Sequence, residues 1–200
     1  MAERIVVCAL GDSITAGSPG FDPDPAERAR RGFGDDPASQ WEYWAALRDP
    51  RLEFRNHGIY GQRTDEIAAR LDACAAGADV LVVQGGINDV VQGRPVESGA
   101  GNLRSMVRRG RELGVAVAIA DVLPWNNGWP DADPLIRRLN ELVAALALDE
   151  RVPLLPFYDT LEDPGRPGRM GEAWTAEGDH PSVEGYRLLG ERAFRLPELP

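Results

Sequence analysis

Residues 5–15 read IVVCALGDSIT: six apolar residues, Ile5 to Leu10, run without interruption into Gly11, Asp12 and Ser13. A β-branched run with no polar alternation fits a strand buried on both faces, as in parallel sheets covered by helices. The pattern returns at residues 52–56, 80–83, 115–120 and 152–157. Between these runs, residues 40–48 carry Trp41, Trp44 and Ala45, and residues 65–75 carry Ile67, Ala68, Leu71 and Ala75, all at helical spacing. Residues 103–113, 135–148 and 183–194 follow the same rule. This regular alternation predicts a doubly wound α/β sheet with right-handed crossovers and strand order 2-1-3-4-5. No composition shift divides the chain, so residues 1–200 are expected to form a single domain.

The 200 residues, 43% of them hydrophobic, suffice to bury a core without covalent staples. A net charge of −10, from 22 basic and 32 acidic residues, repels phosphate backbones and anionic lipid, so neither nucleic acid nor a membrane is expected as partner. Every basic residue is arginine, which excludes a lysine nucleophile or Schiff base. Cys8 and Cys74 are too few for a disulfide framework and lack metal-site spacing. Buried free thiols in a reducing compartment are the expectation, a single disulfide being the alternative. The apolar run after the opening MAER is too short for a signal sequence, and no run reaches the ~18 residues of a membrane span. A cytoplasmic protein is expected.

In such sheets ligands bind beyond the carboxyl ends of the strands, where the winding reverses, which confines the search for chemistry to those loops. Ser13 stands in the turn after the first strand, where a nucleophile belongs, although Gly-Asp-Ser alone is also ordinary turn chemistry. Neither a G-x-G-x-x-G nor a G-x-x-x-x-G-K-[ST] motif is present, which counts against a nucleotide-binding module. A serine nucleophile needs an imidazole to take its proton, and the chain holds only His57 and His180. His180 lies in EGDHPS (177–182), where Glu177, three residues earlier, can accept the other ring N–H. For the oxyanion of acyl transfer, Asn88 follows the third strand, Gly61 follows the second with an unobstructed N–H, and Ser13 adds its own N–H. Singly, Asn88 reads equally as a helix cap and Gly61 as a turn glycine.

Two long connections, residues 18–39 and 123–134, are expected to wall the site. The second carries Trp125 and Trp129, candidates for an acyl or aryl pocket, with loop anchoring as the alternative. His57 is a further candidate for the pocket lining, and a hydrogen-bonded loop histidine is its other reading. Asp12 and Asp89 are read as turn-fixing residues.

With these residues in this order, the chain resembles the GDSL, or SGNH, hydrolase family. Gly-Asp-Ser supplies Ser13, the glycine block Gly61, Gly86-Ile87-Asn88-Asp89 the G-x-N-D block and His180 the final block, so the resemblance spans residues 5–190. It implies a three-layer α/β/α sandwich with a flavodoxin-like five-stranded parallel sheet. It also implies that Ser13, His180 and Glu177 hydrolyse a small-molecule carboxylic ester or thioester, with Ser13, Gly61 and Asn88 as oxyanion hole and without metal or organic cofactor. Two positions depart from the family pattern. Ile14 replaces the leucine of GDSL, and Glu177 stands where the D-x-x-H pattern has aspartate, which leaves a main-chain carbonyl as the alternative partner for His180. The polar long loops, with no large apolar lid helix, favour small or short-chain esters. An acyltransferase or thioesterase using the same residues is the alternative activity.

Overall fold

The computed structural model describes residues 4–199. Its main strands are β1 (Ile5–Gly11), β2 (Leu52–Gly58), β3 (Val80–Val83), β4 (Ala116–Ala120) and β5 (Leu154–Leu155). All pair in parallel in the order β2-β1-β3-β4-β5, as the apolar runs predict. Val7, Cys8, Ala9 and Leu10 of β1 have no exposed surface, because helices cover the sheet on both sides.

The helices are α1 (Ser13–Ala16), α2 (Pro25–Arg31), α3 (Trp41–Arg48), α4 (Thr64–Ala68), α5 (Leu71–Ala75), α6 (Ile87–Val91), α7 (Val96–Glu112), α8 (Ala132–Glu150), α9 (Phe157–Leu161) and α10 (Val183–Leu188). One core layer joins Cys8, Leu10, Leu81 and Val83 of the sheet to Ile67, Leu71, Leu103 and Leu139 of α4, α5, α7 and α8. The other joins Val7, Ala9 and Val82 to Trp41, Phe157 and Tyr186 of α3, α9 and α10. Burying each large apolar side chain contributes about 1.5–3 kcal/mol, so the two layers fix the sheet whose strand ends carry the site. No helix among the described residues is long and apolar enough to cross a membrane.

Several elements depart from the sequence expectation for identifiable reasons. The helix expected over 65–75 breaks between α4 and α5, and Arg70 at the break turns its guanidinium inward onto the main-chain oxygens of His57 and Gly11. The helix expected from residue 103 starts at Val96, because Gly99 and Gly101 erase the apolar periodicity of its first turns. Only two residues of the 152–157 run form β5, since Pro153 and Pro156 have no N–H for a ladder. A hairpin of β6 (Glu162–Asp163) and β7 (Arg166–Met170) was not evident from the pattern. Cys8 and Cys74 correct the free-thiol expectation: α5 lies over β1, the Cα atoms are 6.0 Å apart, and the two sulfurs are joined as a disulfide.

Candidate active site

The turn after β1 is built by side chains that replace missing backbone partners. Asp12 caps α1, its carboxylate accepting the Ile14 N–H at 2.9 Å. The Asp12 N–H and the Thr15 hydroxyl both donate to Oε1 of Gln84, at 3.2 and 2.9 Å. Gln84 thereby ties the end of β3 to the turn. On the other side α1 lies directly on Gly58 of β2, where a Cβ would come within 2.0 Å of the Ala16 nitrogen. Burial pushes the Asp12 carboxyl up to about 6, against the lowering effect of the Ile14 N–H, Gln84 and His180. Ser13, the first residue of α1, is buried with its N–H beyond the reach of any intrahelical acceptor.

His180 reaches this serine from the far end of the chain. Its Nε2 is 3.0 Å from Ser13 Oγ, and its Nδ1 is in hydrogen-bond contact with Glu177 Oε1. The loop that carries it is closed on itself: the His180 carbonyl accepts from the Ala176 N–H at 2.9 Å and the Thr175 hydroxyl at 3.0 Å. Ser182 then caps α10 by accepting the Gly185 N–H. Asp179, adjacent in sequence, faces away from the imidazole and accepts from Trp125 and Asn127 instead.

The loops after β2 and β3 interlock beside Ser13. The Ile59 N–H donates to the Gly11 carbonyl at 3.1 Å, and Asn88 donates one of its two amide hydrogens to the Gln62 carbonyl at 2.9 Å. Asp89 accepts from both the N–H and the hydroxyl of Thr64, at 2.9 and 2.7 Å, which holds α6 against α4. Gly61 has φ +81° and open space where a Cβ would stand, and its N–H has no acceptor among the described residues. The Tyr60 ring lies 5.8 Å from the His180 ring, with Arg31 of α2 over its face at 4.3 Å. The turn-fixing reading of Asp12 and Asp89 therefore corresponds to the bonds they form.

A cavity of about 10 Å³ adjoins the serine turn, lined by Ile14, Ile87, Val122, Leu123, Pro124 and Trp125 with Gln84 and Asp179. Trp129 is not part of this lining; it packs edge-on against Trp125 from outside, with ring centroids 5.4 Å apart. His57 lines a separate hollow with Asp22, Glu27, Tyr60 and Arg70 beneath α2, and burial together with the Arg70 and Arg55 charges pushes its imidazole pKa down. A wider cleft of about 740 Å³ sits at the opposite end of the sheet between Val115, Pro153 and Leu196, remote from the serine turn. Among the described residues, Cys8, His57 and Cys74 form a group with metal-ligand spacing, within 4.8 Å of one another. With the two sulfurs joined, only His57 of that group retains a free ligand atom. Gln84, Tyr60 and Arg70 are contributors that the sequence reading passed over. Gln84 carried a visible signal, a lone polar residue closing an apolar strand.

The family model described as "GDSL-like Lipase/Acylhydrolase family" matches residues 9–188. Among solved structures, a protein from Desulfitobacterium hafniense, assigned to the lipolytic G-D-S-L family, superposes with a TM-score of 0.76 at 24% identity, covering 94% of this chain and 97% of its own. A lipolytic G-D-S-L family member from Veillonella parvula gives 0.74 at 22% identity, with 94% of each chain covered. An acetylxylan esterase from Geobacillus stearothermophilus, solved as a catalytic mutant, gives 0.70 at 18% identity over 95% of this chain and 92% of its own. At these identities the likeness speaks for the fold. No curated protein matches the chain.

Proposed function

The chain belongs to the GDSL-like lipase/acylhydrolase family, a family of ester hydrolases, and from that premise we propose that it cleaves small carboxylic esters through an acyl-enzyme on Ser13. The observation that carries this reading is the continuous contact from Glu177 through His180 to the Ser13 hydroxyl, with 3.0 Å between Nε2 and Oγ.

Ser13 Oγ attacks the acyl carbonyl while His180 Nε2 takes its proton, and the same nitrogen returns the proton to the departing alkoxide. Glu177 keeps the Nδ1–H tautomer and so leaves the Nε2 lone pair facing Oγ. Charge that develops on the carbonyl oxygen is met by the N–H groups of Ser13 and Gly61 and by the free amide hydrogen of Asn88. Water, deprotonated by His180, then attacks the acyl carbon, and the proton passes from His180 to Ser13 Oγ as the C–Oγ bond breaks and the acid leaves. Ser13 N–H stands at the amino end of a short helix, but the fixed donors rather than the helix itself supply the stabilisation.

The test is hydrolysis of p-nitrophenyl acetate, butyrate and octanoate by the purified protein beside Ser13→Ala, with both checked for folding. Turnover that falls at least about 10³-fold in the variant is the expected result. Equal rates in the two proteins would remove Ser13 from the mechanism.

A further inference from the structure

Three consecutive residues after β4 hold three consecutive residues before His180. The Trp125 indole N–H donates to Asp179 Oδ1 at 2.7 Å, the Asn126 N–H to the Gly178 carbonyl at 2.9 Å, and the Asn127 amide to the Glu177 carbonyl at 2.8 Å. The Asn127 amide also reaches the same Asp179 oxygen at 2.8 Å. Gly178 completes the fit: it has φ +99°, and a Cβ there would meet the Asn127 amide at 2.6 Å. The base of the clamp is itself anchored. Val122 exchanges both main-chain bonds with the Asn140 side chain of α8, each at 2.8 Å, and Asn126 brackets Met170 N–H and carbonyl at 2.6 and 3.1 Å.

The other side of Trp125 belongs to the small apolar cavity beside the serine turn. Ile14, next to Ser13, and Ile87, next to Asn88, both line this cavity, which makes it the apolar space adjoining the serine turn that an acyl group on Ser13 can enter. The recess is narrow, with about 10 Å³ open to the centre of a water-sized sphere, so an acyl chain that lengthens into it bears on its walls. Val122 is pinned to α8 and Ile14 lies in the buried serine turn, whereas Trp125 belongs to a loop.

We propose that Trp125 makes this enzyme selective for acetyl esters by coupling acyl length to the placement of His180. A longer acyl chain displaces the indole, the indole N–H pulls Asp179, and the turn that positions Glu177 and His180 shifts relative to Ser13. Length is then penalised in kcat as well as KM, because displacement of a base by a fraction of an ångström lowers the rate of proton transfer. Trp125 is in this sense a positioning residue as well as a wall. The inference rests on the ester-hydrolase reading above.

The experiment measures kcat and KM on p-nitrophenyl acetate, butyrate and hexanoate for wild type, Trp125→Phe, Trp125→Ala, Asp179→Ala and Asp179→Asn. Wild type is expected to favour acetate over butyrate by at least about tenfold in kcat. Trp125→Phe keeps an aromatic wall without the donor, and Asp179→Ala removes the acceptor. Both should lower kcat on acetate with KM little changed, and both should narrow the acetate-to-butyrate ratio to within about threefold. Asp179→Asn retains an acceptor oxygen and should restore most of what Asp179→Ala loses. Trp125→Ala should admit hexanoate; if it fails to fold, Trp125→Phe still decides. Ser13-dependent hydrolysis with equal kcat on acetate and butyrate would overturn the proposal and leave the hydrolase reading intact. The same holds if Trp125→Phe keeps the wild-type kcat and ratio. Absence of any Ser13-dependent hydrolysis would instead sink the hydrolase reading, and this inference with it.

Discussion

His180 Nε2 stands 3.0 Å from Ser13 Oγ although 167 residues separate them in the chain. The contact joins the turn after β1 to the loop before α10. In the proposed mechanism the serine proton passes across this contact to the ring nitrogen. We expect His180→Ala to lower kcat on a p-nitrophenyl ester by about 10³-fold or more with the fold retained. Wild-type turnover in that variant would contradict His180 as the base.

Glu177 holds the opposite ring nitrogen from the position that the family gives to aspartate. Glu177→Gln keeps the size but not the charge that balances the imidazolium, and kcat should drop by about 10² to 10⁴ with KM nearly unchanged. Glu177→Asp should retain part of the activity if the loop can bring the shorter side chain closer. Wild-type kcat in Glu177→Gln would pass the orienting role to a main-chain carbonyl.

Asn88 and Gly61 are expected to differ as oxyanion donors. Asn88→Ala removes the amide, and kcat should fall by about 10² to 10³. Gly61→Ala keeps the N–H and meets no neighbour, so its main cost is the positive φ, about 1–2 kcal/mol of stability. A thermal melt beside steady-state kinetics separates the two: Gly61→Ala should lose Tm and keep most of its kcat. Full kcat in Asn88→Ala would exclude the side chain from the hole.

Asp121, just beyond β4, accepts the Tyr158 N–H at 2.8 Å in a buried position, and burial pushes its carboxyl up to about 7 despite that bond. The unfolded chain releases this proton near 3.8. Between those values the folded protein holds a proton that the unfolded one has lost, so this group's contribution to stability declines as pH rises from about 4 to 7, by roughly 2–4 kcal/mol. Asp121→Asn keeps the acceptor oxygen and removes the titration. Urea unfolding at pH 5 and pH 8 should show the variant gaining on wild type at the higher pH; a pH-independent difference would show that Asp121 does not titrate in this range.

The serine turn was legible because a fully buried strand leaves an unbroken apolar run, and the loops that converge at a parallel sheet's carboxyl edge follow from strand order alone. Ser13, Glu177 and His180 are therefore readable from the residues, and their side chains lie in hydrogen-bond contact. The break at Arg70 was not legible, because Ile67, Ala68 and Leu71 keep helical spacing across it. Helix α2 was missed although Asp24-Pro25, a cap followed by proline at the first helical position, announced it. Trp125 was readable as a pocket wall. Its bond to Asp179 was not, since it depends on how two loops 54 residues apart face each other.

Five of the side chains that tie the site loops together are neutral amides: Gln84, Asn88, Asn126, Asn127 and Asn140 each span two segments. Many of the arginine ion pairs lie farther out, as in Arg109 with Asp72 or Arg187 with Glu184 on outer helix faces. Dissolved salt screens exposed charges farther apart than about 10 Å at 0.1 M and about 3 Å at 1 M, and acts little on hydrogen bonds between neutral groups. Ionic strength should therefore act on the shell of this protein and spare its centre: molar salt shifts the melting temperature while turnover of an uncharged ester stays level.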